Sequence, residues 1–571
     1  MKGWAGFIAA LVAAIGLAIL GTTPPGPVPD TAGAGAFSAG RAMIDVRQIA
    51  EKPHPTGTPE NAEVRAYLVN RLKSLGLEVR EVDLPLPQLS TERMQGWSKG
   101  SHAPTRMVNV IGVLPGKDRT LPAVALMAHH DTVWGSPGAA DDTAGIATIL
   151  EAVRAIKARG QPLRDLAVVI TDAEELGLSG AEAFFASDPL RARIGMIVNM
   201  EARGGGGRTT LFETSPDNGN AVALYADAVS RPGASSLAAF IYSVLPNDTD
   251  LSVSLRADYP GYNFAFIGRS GLYHSPLATP ERLDQGALQD MGGQVLALTD
   301  RLVRSPSLPQ ASPSVVFFDV FGLFLVTYPA WIGWIMVAAI GLGLASAVRR
   351  DCRLHAVLGG SGRMLGMMLG TGVALYALNL VSGAGSQANY YDRLAAIPKL
   401  EIMALLACAG MFLLAFGRGA GKAARVGATL VLAVLGAIAQ LLAPTAAYVV
   451  LIPVLLAVLA LCLPGGPGKA IGWLGAALVL GYEIYLGHFA MQGVGPTMPF
   501  VVSVPLALAT LAILALWPGL APRAARRGAL AALALSLLVS LWVRFDPIAD
   551  TVAVYSSDKN VPAIPITKPK K

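Results

Sequence analysis

Ala123-Val-Ala-Leu-Met-Ala128-His129-His130-Asp131 is an apolar run of six residues that ends in two imidazoles and a carboxylate. A short run without polar alternation reads as a strand covered on both faces, and its abrupt polar end reads as the edge of a sheet. Outward from it, Val108 to Leu114, Leu166 to Thr171, Ile194 to Met200 and Asn263 to Ile267 have the same character. Ile146, Ile149, Leu150 and Val153 recur at helical spacing, which predicts a helix from about Ala144 to Lys157 that Gly160 and Pro162 stop. The alternation predicts an α/β fold, a mostly parallel mixed sheet with helices on both faces. Polar residues placed just after successive strands of such a sheet gather along one edge, however distant in sequence. Most of His129, Asp131, Asp141, Glu174, Glu175, Glu201 and His274 are placed in this way.

The 571 residues are 53% hydrophobic and 15% charged, with a mean hydropathy of +0.49. That is too apolar for a wholly water-soluble chain. Acidic residues concentrate between positions 41 and 305, and apolar stretches fill 315 to 545. The expected organisation is an N-terminal transmembrane anchor (1–24), a linker (25–44), the α/β domain (45–309), an all-α polytopic membrane domain of about eight helices (310–545) and a tail (546–571) too short for a domain. Trp4 to Leu20 is long enough to span a bilayer. It reads as an anchor, because the small residues of Thr31 to Ala36 lie well beyond its apolar end, where signal cleavage is disfavoured. Thr22 to Gly40, rich in Pro, Gly and Ala, reads as a linker.

The eight later spans are expected near Phe318–Ser346, Met364–Val381, Ile402–Phe416, Gly427–Leu442, Ala447–Leu463, Ile471–Met491, Val501–Trp517 and Gly528–Val543. Every second connection is basic: Arg349, Arg350 and Arg353; Arg418, Lys422 and Arg425; Lys469; Arg523, Arg526 and Arg527. The positive-inside rule makes these loops cytoplasmic, with Lys2 and the N-terminus, and puts the α/β domain and the C-terminus outside. Outside is the periplasm for a bacterial inner membrane, which the Ala/Gly/Arg-rich composition suggests, or a lumen in a eukaryote. The net charge of +6 is accounted for by these anchors beside a lipid bilayer, so no nucleic-acid partner is expected. Cys352, Cys408 and Cys462 all fall in the membrane half. The α/β domain therefore has no disulfide, and any metal there is held by N and O ligands. Glu483 and His488 are ionisable groups at membrane depth, a pointer to a transport role, though anchoring is the simpler account.

The residues at the sheet edge suit metal-assisted hydrolysis. In His129-His130-Asp131 the spacing fits His129 as a ligand with Asp131 steadying its other ring nitrogen, and His130 points away. Asp141, in a tight turn before the helix, is the candidate bridge between two cations about 3.5–4 Å apart, and Asp142 reads as the helix N-cap. Adjacent Glu174 and Glu175 invite two roles, base and ligand, although most such pairs are simply solvated. Glu201 would be a costly carboxylate at the end of a buried strand unless it binds metal. His274 supplies a last nitrogen. The glycines Gly204 to Gly207 allow close approach of backbone or substrate, or form an ordinary loop.

In their order, His-x-Asp, Gly-Ala-x-Asp, Glu-Glu, a further acidic ligand and a late His, residues 45–305 resemble the zinc-dependent aminopeptidase family with co-catalytic metals. Asn199-Met-Glu-Ala and Tyr273-His274 look like its vacuolar and endoplasmic-reticulum multi-span membrane branch. The resemblance implies two Zn2+ ions, one on His129, Asp141 and Glu201 and the other on Asp141, Glu175 and His274. It also implies Asp131 as orienter, Glu174 as general base and a peptide substrate. Many soluble members have Asp where this chain has Glu201, which puts terminal specificity in doubt. A single-zinc glutaminyl cyclase-like activity, a zinc carboxypeptidase or deacylase, and an inactive receptor or transport protein remain as alternatives. The oligomeric state is not legible.

Overall fold

The computed structural model describes residues 2–349, 353–385, 389–463, 465–546 and 551–556. It divides into two units. One holds Thr23–Ser314 with Gly322–Thr327 and the described residues after Ile548; the other holds the N-terminal helix and most of the chain from Tyr328 to Pro547.

The first unit is built on a seven-stranded sheet: β1 Glu78–Pro85, β2 Arg106–Leu114, β3 Ala123–His129, β4 Leu166–Thr171, β5 Ile194–Ala202, β6 Gly206–Thr214 and β7 Gly261–Gly268. The order is β1-β2-β4-β3-β5-β7-β6. The inner strands β4, β3, β5 and β7 run parallel, and β1, β2 and β6 join in antiparallel pairs. The parallel core is fully buried, which is why β3 and β4 carry no polar alternation. Ala123, Ala125 and Met127 face a cluster with Phe184, Phe185 and Leu251. The alternate residues face the opposite way, and the helix Thr143–Ala158 packs against the strand. That helix is capped by the Asp142 carboxylate, which accepts Gly145 N–H at 3.1 Å. Registers of His129 with Thr171 and Met127 with Asn199 align the carboxyl ends of β3, β4 and β5 on one edge.

Two strands are absent from the sequence reading, β1 and β6. β6 grows out of the glycine run, and the run serves backbone approach: at Gly204, with φ of 152°, a Cβ would stand 2.2 Å from the Gly268 carbonyl oxygen. Nor is 25–44 a free tether. A helix, Ala39–Ile49, starts within it. The carbonyls ahead of that helix, which have no ladder partners, are taken up by arginines: Arg41 donates to Asp30, Ala32 and Ala36, Arg154 to Ala34 and Ala36, and Arg159 to Gly35. The Pro/Gly/Ala composition marks missing secondary structure, and the arginine side chains supply order in its place.

Among the described residues of the second unit, seven helices are long and apolar enough to cross a membrane: Trp4–Thr22, Ile332–Arg349, Leu354–Val381, Ile397–Phe416, Lys422–Leu442, Gly465–Val494 and Pro522–Phe545. Tyr448–Cys462 and Pro499–Ile513 are shorter apolar helices. The span expected from Phe318 begins instead at Ile332, because Val315–Asp319 and Leu325–Pro329 are short strands. Several basic residues read as loops are in fact first-turn helix residues, among them Lys422, Arg425 and Arg523. Arg350, Cys352 and residues 557–571 of the tail lie outside the described residues. The N-terminal helix presents a buried stripe, Ala10, Ala14 and Ala18, and Gly481 lets Gly465–Val494 approach it at Ala14 and Leu17. Within the latter helix Glu483 is buried with neither oxygen hydrogen-bonded among the described residues, and His488 Nδ1 pairs with Glu401 at 2.8 Å.

Candidate metal centre

The seven residues are brought by strand ends and the turns that follow them. His129 ends β3, and its Nε2 lies 3.2 Å from Asp141 Oδ1. Asp141 Oδ2 lies 3.2 Å from His274 Nε2, which is also 3.1 Å from Glu175 Oε1. Asp141 thus turns one oxygen to each imidazole. Glu174 and Glu201, from the turn after β4 and the end of β5, each stand 3.9 Å from His129 Nε2. Among the described residues three groups could hold a metal ion: His129 with Asp141 and Glu201, His129 with Glu174 and Glu175, and Asp141 with Glu175 and His274.

Backbone geometry is specialised here. Ala173 and His274 adopt φ of 57° and 54°, the left-handed region that non-glycine residues enter when surroundings over-determine them. Gly138, with φ of 65°, has no room for a side chain: a Cβ would sit 2.4 Å from Thr132 Cγ2 and 2.6 Å from the Asp141 carbonyl oxygen.

At Asp131 the contacts extend beyond the His129 ring. Its carboxylate accepts the backbone N–H groups of Glu174 and Glu175, at 3.0 and 3.2 Å. The His129 ring nitrogen Nδ1 faces Asp131 twice, the carbonyl at 2.9 Å and the carboxylate at 3.5 Å. His130 turns to the other side, its ring between Val108 O and Asn61. Asn199 donates to Glu201 Oε1 at 3.3 Å and to Asn263, fixing the longer acidic side chain.

Three neighbours went unnoticed in the sequence. Asp250, beside the Thr249 cap of a short helix, accepts the Thr171 hydroxyl and lies near Glu174. Arg93 donates to Glu175 O at 3.4 Å. Tyr555, from the short tail, stands 2.9 Å from His274 Nδ1. Each reads singly as a cap or a surface group, and no spacing rule joins it to the motif.

Burial pushes the Glu174 carboxyl well above its usual range, and Glu175, Asp250 and Asp131 push it further. Burial raises Glu201 likewise, aided first by Glu174, and raises Glu175, aided by Asp141. Against the cost of burial, hydrogen bonds from His129 and His274 hold Asp141 down at about 2. Burial also opposes a charge on His129, yet Glu174, Asp131 and Asp141 hold its pKa well above 6.5. Acidic groups crowded out of water this way need cations. Imidazole nitrogen and carboxylate oxygen without thiolate are a donor set suited to zinc.

Comparison with known proteins agrees with this chemistry. Residues 109–299 match the model for Peptidase family M28. The human protein Endoplasmic reticulum metallopeptidase 1 is 30% identical over 308 residues, 51% of this chain and 34% of that protein. The Vacuolar membrane protease of Eremothecium gossypii is 30% identical over 302 residues, 51% of this chain and 29% of that protein. The match thus spans about a third of the length of these curated relatives. Among solved structures, an aminopeptidase from Aneurinibacillus sp. strain AM-1 aligns over 49% of this chain and 97% of its own, at 15% identity and a TM-score of 0.38.

Proposed function

We propose, from a segment at 109–299 that matches the model for Peptidase family M28, that this chain is a membrane-embedded dizinc peptidase. In this reading it takes residues from free peptide N-termini on the non-cytoplasmic side. The observation that carries the reading is Asp141, whose two oxygens face His129 Nε2 and His274 Nε2 at 3.2 Å each, as a carboxylate shared by two cations requires. Charge supports two ions over one. Asp141, Glu174, Glu175 and Glu201, with Asp131 beside them, carry more negative charge when ionised than a single divalent ion balances.

His129, Asp141 and Glu201 would hold one ion, and Asp141, Glu175 and His274 the other. When bound, the ions supply Lewis acidity toward the scissile carbonyl and toward water. Glu174 takes the proton of the attacking water and delivers it to the leaving amine nitrogen. Asp131 holds the backbone of that base in place. Each three-residue group would hold its ion with room for a substrate atom, which would suit the α-amine of a peptide N-terminus.

Sidedness is supported within the membrane unit. Trp4, at the start of the first helix, packs on Trp517 with centroids 5.5 Å apart. The loops at Gly417 and Leu520 are hydrogen-bonded at 2.8 Å. These two basic connections and the N-terminal helix start therefore share one membrane face, consistent with the positive-inside rule. The segment after the first helix would then emerge on the other face.

Zinc analysis of the purified full-length chain, with peptides bearing free and acetylated N-termini, tests the reading. Two zinc ions per chain and cleavage of the free peptides alone are expected. One zinc with cyclisation of N-terminal glutamine would replace it by the cyclase reading, and release of C-terminal residues from blocked peptides by the carboxypeptidase reading.

A further inference from the structure

We propose that Tyr555 is a positioning residue for His274, supplied to the metal centre by the stretch of chain that follows the last apolar helix. The inference rests on His274 being a metal ligand. Tyr555 Oη lies 2.9 Å from His274 Nδ1, across 281 residues of sequence, and the opposite nitrogen, Nε2, faces Asp141 and Glu175. An imidazole that gives Nε2 to a cation keeps its proton on Nδ1, so the tyrosine oxygen accepts that proton's hydrogen bond. Such a partner fixes both the tautomer and the ring direction of a ligand. His274 needs one more than most residues do, because its backbone is held at a φ of 54° and no regular element sets its side chain.

The tyrosine is itself held in place. Its ring packs on Trp97 with centroids 4.7 Å apart and planes 34° from parallel. The turn Val554–Ser556 lies against the helix Gln88–Trp97, and Ala553, just before it, is fully buried. The same helix sends Arg93 to Glu175 O at 3.4 Å. One helix thus steadies the ligands Glu175 and His274, the first directly and the second through Tyr555. The two histidines are supported differently: His129 leans on Asp131, two residues along, whereas His274 leans on a hydroxyl 281 residues away.

The test is cobalt binding by the full-length protein, read by chelator competition and by the visible spectrum of the bound ion. Tyr555→Phe keeps the ring on Trp97 and removes only the hydroxyl. It is expected to weaken one of two cobalt ions about tenfold and shift its spectrum, while the melting temperature of the metal-free chain stays put. His274→Ala is expected to lose that same ion. Unchanged affinity and spectrum in Tyr555→Phe would overturn the inference, as would a loss confined to Tyr555→Ala, which would assign the effect to packing. If the wild-type chain binds no cobalt, the dinuclear reading itself fails, an outcome distinct from a silent Tyr555→Phe.

Discussion

The Asp131 carboxylate accepts the Glu174 backbone N–H at 3.0 Å, so the residue two places after one strand clamps the turn that follows the next. Its second oxygen takes Glu175 N–H, and its carbonyl holds His129. Asp131 thereby ties the proposed base and two of the proposed ligands to one point. In Asp131→Asn an amide group must face one of those N–H groups. We expect a stability loss of about 1–3 kcal/mol from the unpaired donor and a fall in metal affinity of about 10–100-fold. Chemical denaturation and chelator competition measure the two.

Glu174→Gln keeps the side-chain volume and removes the exchangeable proton. Zinc content should stay at the wild-type value while turnover falls about 10²–10⁴-fold. Wild-type turnover in this variant would remove Glu174 from the mechanism.

Metal binding should release protons, because Glu174, Glu201 and His129 are all raised well above their usual values without a cation. Apparent zinc affinity should therefore rise with pH, and chelation should lower the melting temperature by stripping the charges that balance buried carboxylates. Calorimetric titration in buffers of different ionisation enthalpy counts the protons. A pH-independent affinity would contradict the arrangement.

His54 is buried, and burial pulls its pKa down from 6.5 to about 4. Between these values the unfolded chain binds the extra proton. Stability is accordingly complete above pH 6.5 and falls as the pH drops toward 4, by about 3 kcal/mol from this group. Melting curves of the wild type and His54→Asn should diverge over that window, the wild type losing more. Parallel curves would reject the assignment.

In the membrane unit, Ala14 has no exposed surface and meets Gly481 at a backbone approach. Ala14→Leu should overpack this contact and cost about 1–3 kcal/mol, read as a lower melting temperature in detergent. The exposed Val12→Leu should be neutral.

Much of this was legible in the chain itself. Apolar runs without alternation placed β3, β4, β5 and β7, helical spacing placed Thr143–Ala158 within a residue or so, and long apolar stretches marked the membrane helices. The donor types and their order pointed to a metal-binding cluster, because ligand chemistry is a property of the residues themselves. Local signals also misled where order comes from distant partners: the Pro/Gly/Ala segment carries no helix or strand pattern, yet arginines pin it.

What touches what was decided only by the tertiary structure. A hydrogen bond depends on position in space, and sequence spacing constrains position only within one element. Asp131 looked like a partner for the His129 ring alone, while folding also set its carboxylate, 3.5 Å from His129 Nδ1, against the Glu174 turn. Tyr555 looked like part of a bare tail, while folding set it on His274. Residue types determined the chemistry available; strand registers, left-handed turns and long-range packing determined which atoms carry it.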